Sequence, residues 1–200
     1  MNHIGGTAAL SGEFRRECEQ TYFKLYYIYD VLNQLCLLGE LERVPLRLNF
    51  DRNEERVLAS ANLFRIPWRR KPFCFIEIKL FPCAELSTGC FLGVMLHEMS
   101  HIWDFQHGRA ANHDKAFYDR MLRVGFDDKS MTFQENSLFA RSIDLIFRQR
   151  LRLKDGLNML CSYPGTKPEW DETEFYRAYL DRTLQLRRRQ AAAGRIVAAS

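Results

Sequence analysis

The sequence lacks the features that mark membrane-spanning, secreted and disordered proteins. No apolar run among its 200 residues approaches the ~18 residues that a membrane-spanning helix needs. The first residues have neither a basic start nor an apolar segment of signal-peptide length. Hydrophobic residues make up 46% and charged residues 27% of the chain, which is ordinary composition for a globular protein. We therefore expect an intracellular protein without a membrane anchor, in the cytoplasm, the nucleoid or the nucleus.

Paired cysteines are also missing. The six cysteines are widely spaced, and no two of them form a CxxC motif. This argues against a zinc ribbon, because its knuckles are built from such pairs. Isolated cysteines in a chain without an export signal are typical of free thiols in a reducing compartment.

Lysine is scarce relative to arginine, at 7 Lys against 22 Arg. The guanidinium group suits two-point contacts with phosphate, although a coding bias toward arginine explains the same excess. One cluster, formed by Trp68, Arg69, Arg70 and Lys71, combines an aromatic ring with three cations. This cluster is a candidate nucleic-acid contact, with a solvated surface loop as the alternative. The formal net charge of +4 does not by itself indicate nucleic-acid binding.

The spacing of apolar residues predicts a mixture of helices and strands. Apolar residues recur every three or four positions over residues 11–40, which predicts an N-terminal helix ending near Gly39. Alternation of apolar and polar residues predicts three short strands, at residues 44–50, 57–64 and 73–80. We expect these strands to form a small antiparallel sheet that Pro82 ends.

The second half of the chain is predicted to be mainly helical. An apolar stretch that starts near Ser87 and runs through Trp103 predicts a buried central helix. Further helical patterns follow, at residues 115–124, 133–153 and 171–186.

The central helix contains His97-Glu98-Met99-Ser100-His101, an HExxH motif. Positions i and i+4 of a helix lie on one face, so the two imidazoles can occupy two corners of a zinc tetrahedron. Glu98 points to the adjoining side, where its carboxylate can take a proton from a metal-activated water. The motif therefore predicts two zinc ligands and a general base. The alternative is a pair of hydrogen-bonded histidines in the core.

Three residues are candidates for the third zinc ligand. His113 follows His101 by twelve residues, with a glycine in the intervening loop where the chain must turn. His107 has the spacing of the HExxHxxGxxH motif, but an aspartate replaces its glycine. Glu135 would give a site with two histidines and one glutamate. We favour His113.

Other polar residues near the motif are candidates for supporting roles. Asp104 and Asp114 could accept hydrogen bonds from ligand rings, with unrelated surface aspartates as the alternative. Tyr118 and Arg120 follow His113 closely and are candidates to stabilise an oxyanion.

The order of these features resembles the SprT-like metallopeptidase domain, the family that includes the Spartan proteases of DNA–protein crosslinks. A Leu32-Asn33 pair on a helix, a short β region, an HExxH helix and a later His113 with Phe117 follow one another as in that family. The similarity covers residues 33–125. The family's C-terminal zinc ribbon is absent, and an arginine-rich helical segment stands in its place.

This resemblance implies a zincin-like α+β fold and a single catalytic Zn²⁺. It implies that His97, His101 and His113 bind the ion and that Glu98 is the general base. The implied function is a zinc-dependent endopeptidase that acts on proteins, including DNA-associated ones, with nucleic acid as a further candidate partner. The alternative is a DNA- or protein-binding scaffold in which the metal is structural.

The same comparison suggests a division of the chain into three parts. We predict a SprT-like metallopeptidase core at residues 11–125, an arginine-rich helical extension at residues 126–190 and a flexible tail at residues 191–200.

Overall fold

The computed structural model describes residues 5–50, 57–64 and 73–162. These ranges contain helices and a small sheet, and the α+β character of the prediction is confirmed. The helices are α1 (Gly5–Cys36), α2 (Leu80–Glu85), α3 (Thr88–Gln106), α4 (Lys115–Arg123), α5 (Leu138–Arg148) and α6 (Leu153–Ser162). The strands are β1 (Leu46–Asn49), β2 (Ala59–Phe64), β3 (Phe73–Lys79), β4 (Phe126–Asp127) and β5 (Thr132–Phe133).

The chain divides into two compact units. The first unit spans Met1–Lys167 and contains all the described elements, whereas the second, Pro168–Ser200, lies outside the described residues. The predicted helix at residues 171–186 and the predicted tail at residues 191–200 fall there. The boundary proposed at residue 125 stays a prediction.

The three-stranded sheet is mixed, and the prediction of an antiparallel sheet was wrong in part. Its order is β1-β3-β2, with β3 antiparallel to β2 but parallel to β1. Alternating polarity identifies a strand and its two faces, but it does not encode the direction of the neighbouring strand. Although β2 follows β1 in the chain, the two strands lie on opposite sides of β3.

Helix α1 packs along the β1 edge of this sheet. Its predicted apolar stripe is buried and includes Leu25, Tyr29 and Leu32. The main-chain N–H groups of Leu46 and Leu48 in β1 donate to the hydroxyls of Tyr26 and Tyr22, at 3.0 and 2.9 Å. These bonds satisfy the outer edge of β1, which leaves β2 as the other edge of the sheet.

Helix α2 replaces the predicted stop at Pro82. Pro82 is the third residue of this helix, in the first turn, where an N–H group has no intrahelical acceptor and proline is tolerated.

Helix α3 matches the predicted central helix. It begins after Ser87, whose hydroxyl accepts a hydrogen bond from the N–H of Cys90 at 3.2 Å. It ends at Gln106, and the positive φ of 71° at the following Gly108 allows the N–H of Arg109 to reach the carbonyl of Asp104 at 2.8 Å. Helix α4 also matches its prediction, since Asp114 caps its start and Gly125, at φ 85°, follows its end.

The segment after α4 differs from the prediction. Residues 133–153 were predicted to be helical, but Phe133 pairs with Phe126 in the β4–β5 hairpin. Helix α5 starts only after Ser137, whose hydroxyl accepts from the N–H of Ala140 at 3.1 Å. Arg150, with a φ of 49°, lies in the break before α6. Both α5 and α6 pack against α1.

Two further sequence expectations concern disulfides and the membrane. All six cysteines lie in the described ranges, and none of them forms a disulfide bond. None of the helices in the described ranges combines the length and apolar character needed to span a bilayer.

Candidate metal centre

Helix α3 presents His97 and His101 on the face that packs against α4. The buried position of this helix results from its nearly continuous apolar sequence, so the polar motif lies inside the protein. Only 6% of Glu98 and 7% of His101 is exposed. The hydroxyl of Ser100, between them, donates to the carbonyl of Leu96 at 3.0 Å and so has its own helical partner.

The loop after α3 brings His113 back to the same place. Gly108 turns the chain, and Asp114 starts α4 by accepting the N–H of Phe117 at 2.9 Å. His113 is therefore the last loop residue before the helix cap. Its ring lies 4.9 Å from the ring of His97 and 4.8 Å from that of His101, measured between centroids.

The three rings direct their Nε2 atoms at one another. The Nε2 atom of His101 lies 3.1 Å from that of His97 and 3.1 Å from that of His113, and the third separation is 3.0 Å. The centre of such a triangle lies about 1.8 Å from each corner, which is less than the ~2.0–2.1 Å of a Zn–N bond. One point just off the plane of the triangle therefore satisfies all three bonds.

A carboxylate on the β4–β5 hairpin fixes the proton of His97. The Nδ1 atom of His97 lies 2.7 Å from Oδ1 of Asp128, which can only accept, so the proton is on Nδ1. The Nε2 atom of His97 then presents a lone pair to the other two rings. Three converging imidazole nitrogens are a donor set that divalent transition metals bind, so these residues could hold a metal ion.

The ring of Phe117 packs against all three imidazole rings. Its side chain is fully buried, and its ring lies 4.7 Å from His101 in a stacked arrangement. It meets the rings of His97 and His113 edge-on, each at 5.0 Å. This contact ties α4 to the motif on α3 and explains why an aromatic residue follows His113 by one helical turn.

Electrostatics differ among the three polar groups of α3. Burial lowers the pKa of His97, but the hydrogen bond to Asp128 and the charge of Glu98 raise it more, so the net pKa is above the usual value. Burial and the two neighbouring imidazoles lower the pKa of His101 to about 4. Burial raises the pKa of Glu98, against the opposing effects of His97 and of a hydrogen bond from the main chain of Ala61.

Glu98 lies beside β2, an edge strand of the sheet. Its bond with Ala61 joins α3 to β2, and these two elements pack against each other. The carboxylate is therefore next to both the histidine triangle and an edge strand.

The other candidate ligands lie away from this cluster. The ring of His107 stacks on Trp103 at 3.8 Å, and its Nδ1 atom is 2.8 Å from the Trp103 carbonyl. Glu135 is exposed, in the turn before α5 rather than at the start of a helix. Among the described residues, only His97, His101 and His113 form a group that could hold a metal ion.

The residues that were predicted to support the site have other partners in the structure. Asp114 caps α4 and Asp104 accepts from Arg120 at 2.7 Å, and neither carboxylate is bonded directly to one of the three imidazoles. The Nδ1 atom of His101 is buried and has no protein partner among the described residues. Arg120 is engaged by Asp104 rather than free to stabilise an oxyanion, whereas Tyr118 lies against His113 at 6.3 Å.

Asp128 is the residue that the sequence analysis missed. It lies 31 positions after His97, and its approach depends on a hairpin that the sequence analysis did not predict. A pair of consecutive aspartates after Gly125-Phe126 was the only local signal, and it is a weak one.

The candidate nucleic-acid contact cannot be compared with the structure in the same way. Trp68, Arg69, Arg70 and Lys71 lie outside the described residues.

Comparison with models of protein families, with curated proteins and with solved structures finds no match to this chain.

Proposed function

We propose that this protein is a zinc-dependent endopeptidase of the SprT-like type. The observation that carries the proposal is the convergence of three Nε2 atoms, at 3.0–3.1 Å from one another, beside a buried carboxylate. His97 and His101 come from one helix and His113 from a separate loop. The tertiary fold, and not closeness in the sequence, therefore brings the three imidazoles together. A metal bound by three protein ligands with an open fourth position is typical of catalytic rather than structural zinc.

The residues of the site have different chemical roles. His97, His101 and His113 would hold the ion, which when bound lowers the pKa of a water and polarises a carbonyl. Glu98 takes the proton from the attacking water and returns it to the leaving amine. Its raised pKa suits it to hold that proton between the two transfers.

The edge of β2 supports an extended peptide as the substrate. Among the described residues α1 occupies the edge at β1, so β2 is the edge at which a further strand would pair. Ala61 on this strand bonds to Glu98, so a peptide lying along β2 has its main chain beside the general base. DNA-associated proteins are the substrate class that the family resemblance adds.

The proposal is tested with Glu98→Gln in the full chain. This substitution keeps the size and the hydrogen bond from Ala61 but removes the base. We expect zinc content equal to that of the wild type and cleavage of casein, or of a protein crosslinked to DNA, reduced by about 10²–10⁴-fold. Cleavage at the wild-type rate by this variant would falsify the proposal.

One observation favours a second candidate function, a scaffold in which the metal is structural. Phe117 is fully buried and touches all three imidazoles, so the metal would stabilise the contact between α3 and α4. Removal of the metal separates the two candidates. Loss of the fold indicates a structural ion, and loss of cleavage with the fold retained indicates a catalytic one.

A further inference from the structure

The segment that carries His113 has little packing support beyond the contacts of the His113 ring with Phe117 and Tyr118. His113 is exposed, as are Gly108, Arg109 and Asn112 in the same loop. An exposed loop is the most mobile part of a fold. A zinc ligand, in contrast, has to be held within about 0.5 Å of its position.

A single buried aspartate contacts both sides of this segment. Asp104 lies on α3, one turn after His101, and its side chain is 4% exposed. Before His113, Arg109 donates its main-chain N–H to the Asp104 carbonyl at 2.8 Å and places its Nε atom 3.5 Å from the carboxylate. After His113, Arg120 on α4 binds both oxygens of the same carboxylate, at 2.7 and 3.2 Å.

Arg120 makes this connection rigid. Its guanidinium also donates to the carbonyl of Ser100 at 3.0 Å and lies over the ring of Trp103 at 4.1 Å. Ser100 is the residue before His101 on α3. The guanidinium thus joins the turn of α3 that carries a zinc ligand to the helix that begins just after the other ligand.

We propose that Asp104 is the positioning residue of the third zinc ligand, holding both flanks of the His113 loop against the HExxH helix. Asp104 does not touch the imidazoles; it acts through Arg109 and Arg120. The proposal rests on the metal site of the proposed function but not on proteolysis. A wild type that binds zinc and cleaves nothing would therefore overturn the function and leave this inference standing.

The experiment compares Asp104→Asn with Asp30→Asn in the full chain. Asp30 and Arg43 form the matched control, a two-point carboxylate–guanidinium pair at 2.7 Å between α1 and the following loop. Zinc affinity is measured by chelator competition, and the visible spectrum of the Co²⁺-loaded protein reports the ligand set. We expect Asp104→Asn to weaken zinc binding by about 10- to 100-fold and to change the cobalt spectrum. Asp30→Asn should leave both at wild-type values.

A second pair of variants covers the case in which Asp104→Asn does not fold. Arg120→Lys keeps a positive charge beside Asp104 but cannot bond to Ser100 and both carboxylate oxygens together. Arg43→Lys is its control. We expect weaker zinc binding and an altered cobalt spectrum for Arg120→Lys only. The inference would be overturned by equal zinc affinities and cobalt spectra in Asp104→Asn and Asp30→Asn. Where that pair cannot be measured, equal values in Arg120→Lys and Arg43→Lys would overturn it.

Discussion

At the scale of single residues, the chemistry of the site depends on which nitrogen of each imidazole carries the proton. Asp128 settles this for His97 by accepting its Nδ1–H, which leaves Nε2 as the ligand atom. His101 has no such partner among the described residues. The histidine cluster could be predicted from HExxH and the spacing to His113, because one helical turn separates two of its members. Asp128 could not, because its contact is made across 31 residues by tertiary packing.

Asp128→Ala should weaken zinc binding without removing the site. The substitution removes the acceptor that selects the His97 tautomer, and losses of this kind are typically about 10- to 100-fold in metal affinity. Asp127→Asn is the matched control, since Asp127 lies on the same hairpin and accepts the N–H of Lys129 but does not contact His97. Zinc affinities from chelator competition check the prediction. Equal affinities in the two variants would show that Asp128 does not orient His97.

The metal-free protein should lose stability as the pH falls from about 6.5 to 4. The pKa of His101 is lowered to about 4 in the folded state, so below the ordinary value near 6.5 the unfolded chain binds a proton that the folded chain does not. The loss has an upper limit of about 3 kcal/mol. His97 does not add to it in this window, because a raised pKa gives stability that is already complete below 6.5.

Urea unfolding of the chelated protein at a series of pH values checks this dependence. His101→Asn should flatten the profile between pH 6.5 and 4, whereas His107→Asn should keep it, since the ring of His107 lies on Trp103 outside the cluster. A steep profile that survives in His101→Asn would assign the dependence to another group.

At the scale of elements, the site is assembled where α3 meets α4 and the β4–β5 hairpin. The ends of the two helices could be predicted from Ser87, Asp114 and Gly125, because caps and turns are local signals. The parallel pairing of β1 with β3 could not, since pairing order is decided by distant parts of the chain. The hairpin was missed because two-residue strands are too short to show alternation, and Phe133 fits a helical stripe equally well.

Gly93→Ala should disturb the hairpin and, through it, the metal site. A Cβ atom on Gly93 would lie 2.4 Å from Cζ of the buried Phe126, so this ring, on the strand that precedes Asp128, must shift. We expect a loss of about 1–3 kcal/mol in the free energy of unfolding, together with weaker zinc binding.

Gly89→Ala provides the control for this substitution. Its Cβ would meet only Phe133 at 3.8 Å, an ordinary contact, so the helix should gain slightly in stability and zinc affinity should stay unchanged. Denaturation curves and zinc titrations of both variants check the pair. Unchanged stability in Gly93→Ala would contradict the close packing of α3 on Phe126.

At the scale of the whole molecule, most of the core lies away from the metal site. Helix α1 packs against β1, α3, α5 and α6, and the buried residues of these elements include Leu25, Leu48 and Ile143. The α+β character followed from the separate helical and alternating patterns. The packing of α5 and α6 on α1 could not be predicted, because an apolar stripe on a helix does not specify which element covers it.

Removing the metal should therefore lower the melting temperature but leave the protein folded at 25 °C. Binding of an ion only to the folded state adds stability that disappears with the ion, by about 2.7 kcal/mol when the free ion is at 100 times its dissociation constant. Circular dichroism of the full chain with and without a chelator checks this. Loss of the helical signal at 25 °C would favour the scaffold in which the metal is structural.

The most direct test of the metal centre is X-ray absorption at the zinc edge of the protein loaded with one equivalent of zinc. The account predicts three imidazole nitrogens at ~2.0–2.1 Å, completed by a light oxygen ligand. A shell with thiolate sulfur at ~2.3 Å, or with only two imidazoles, would contradict it.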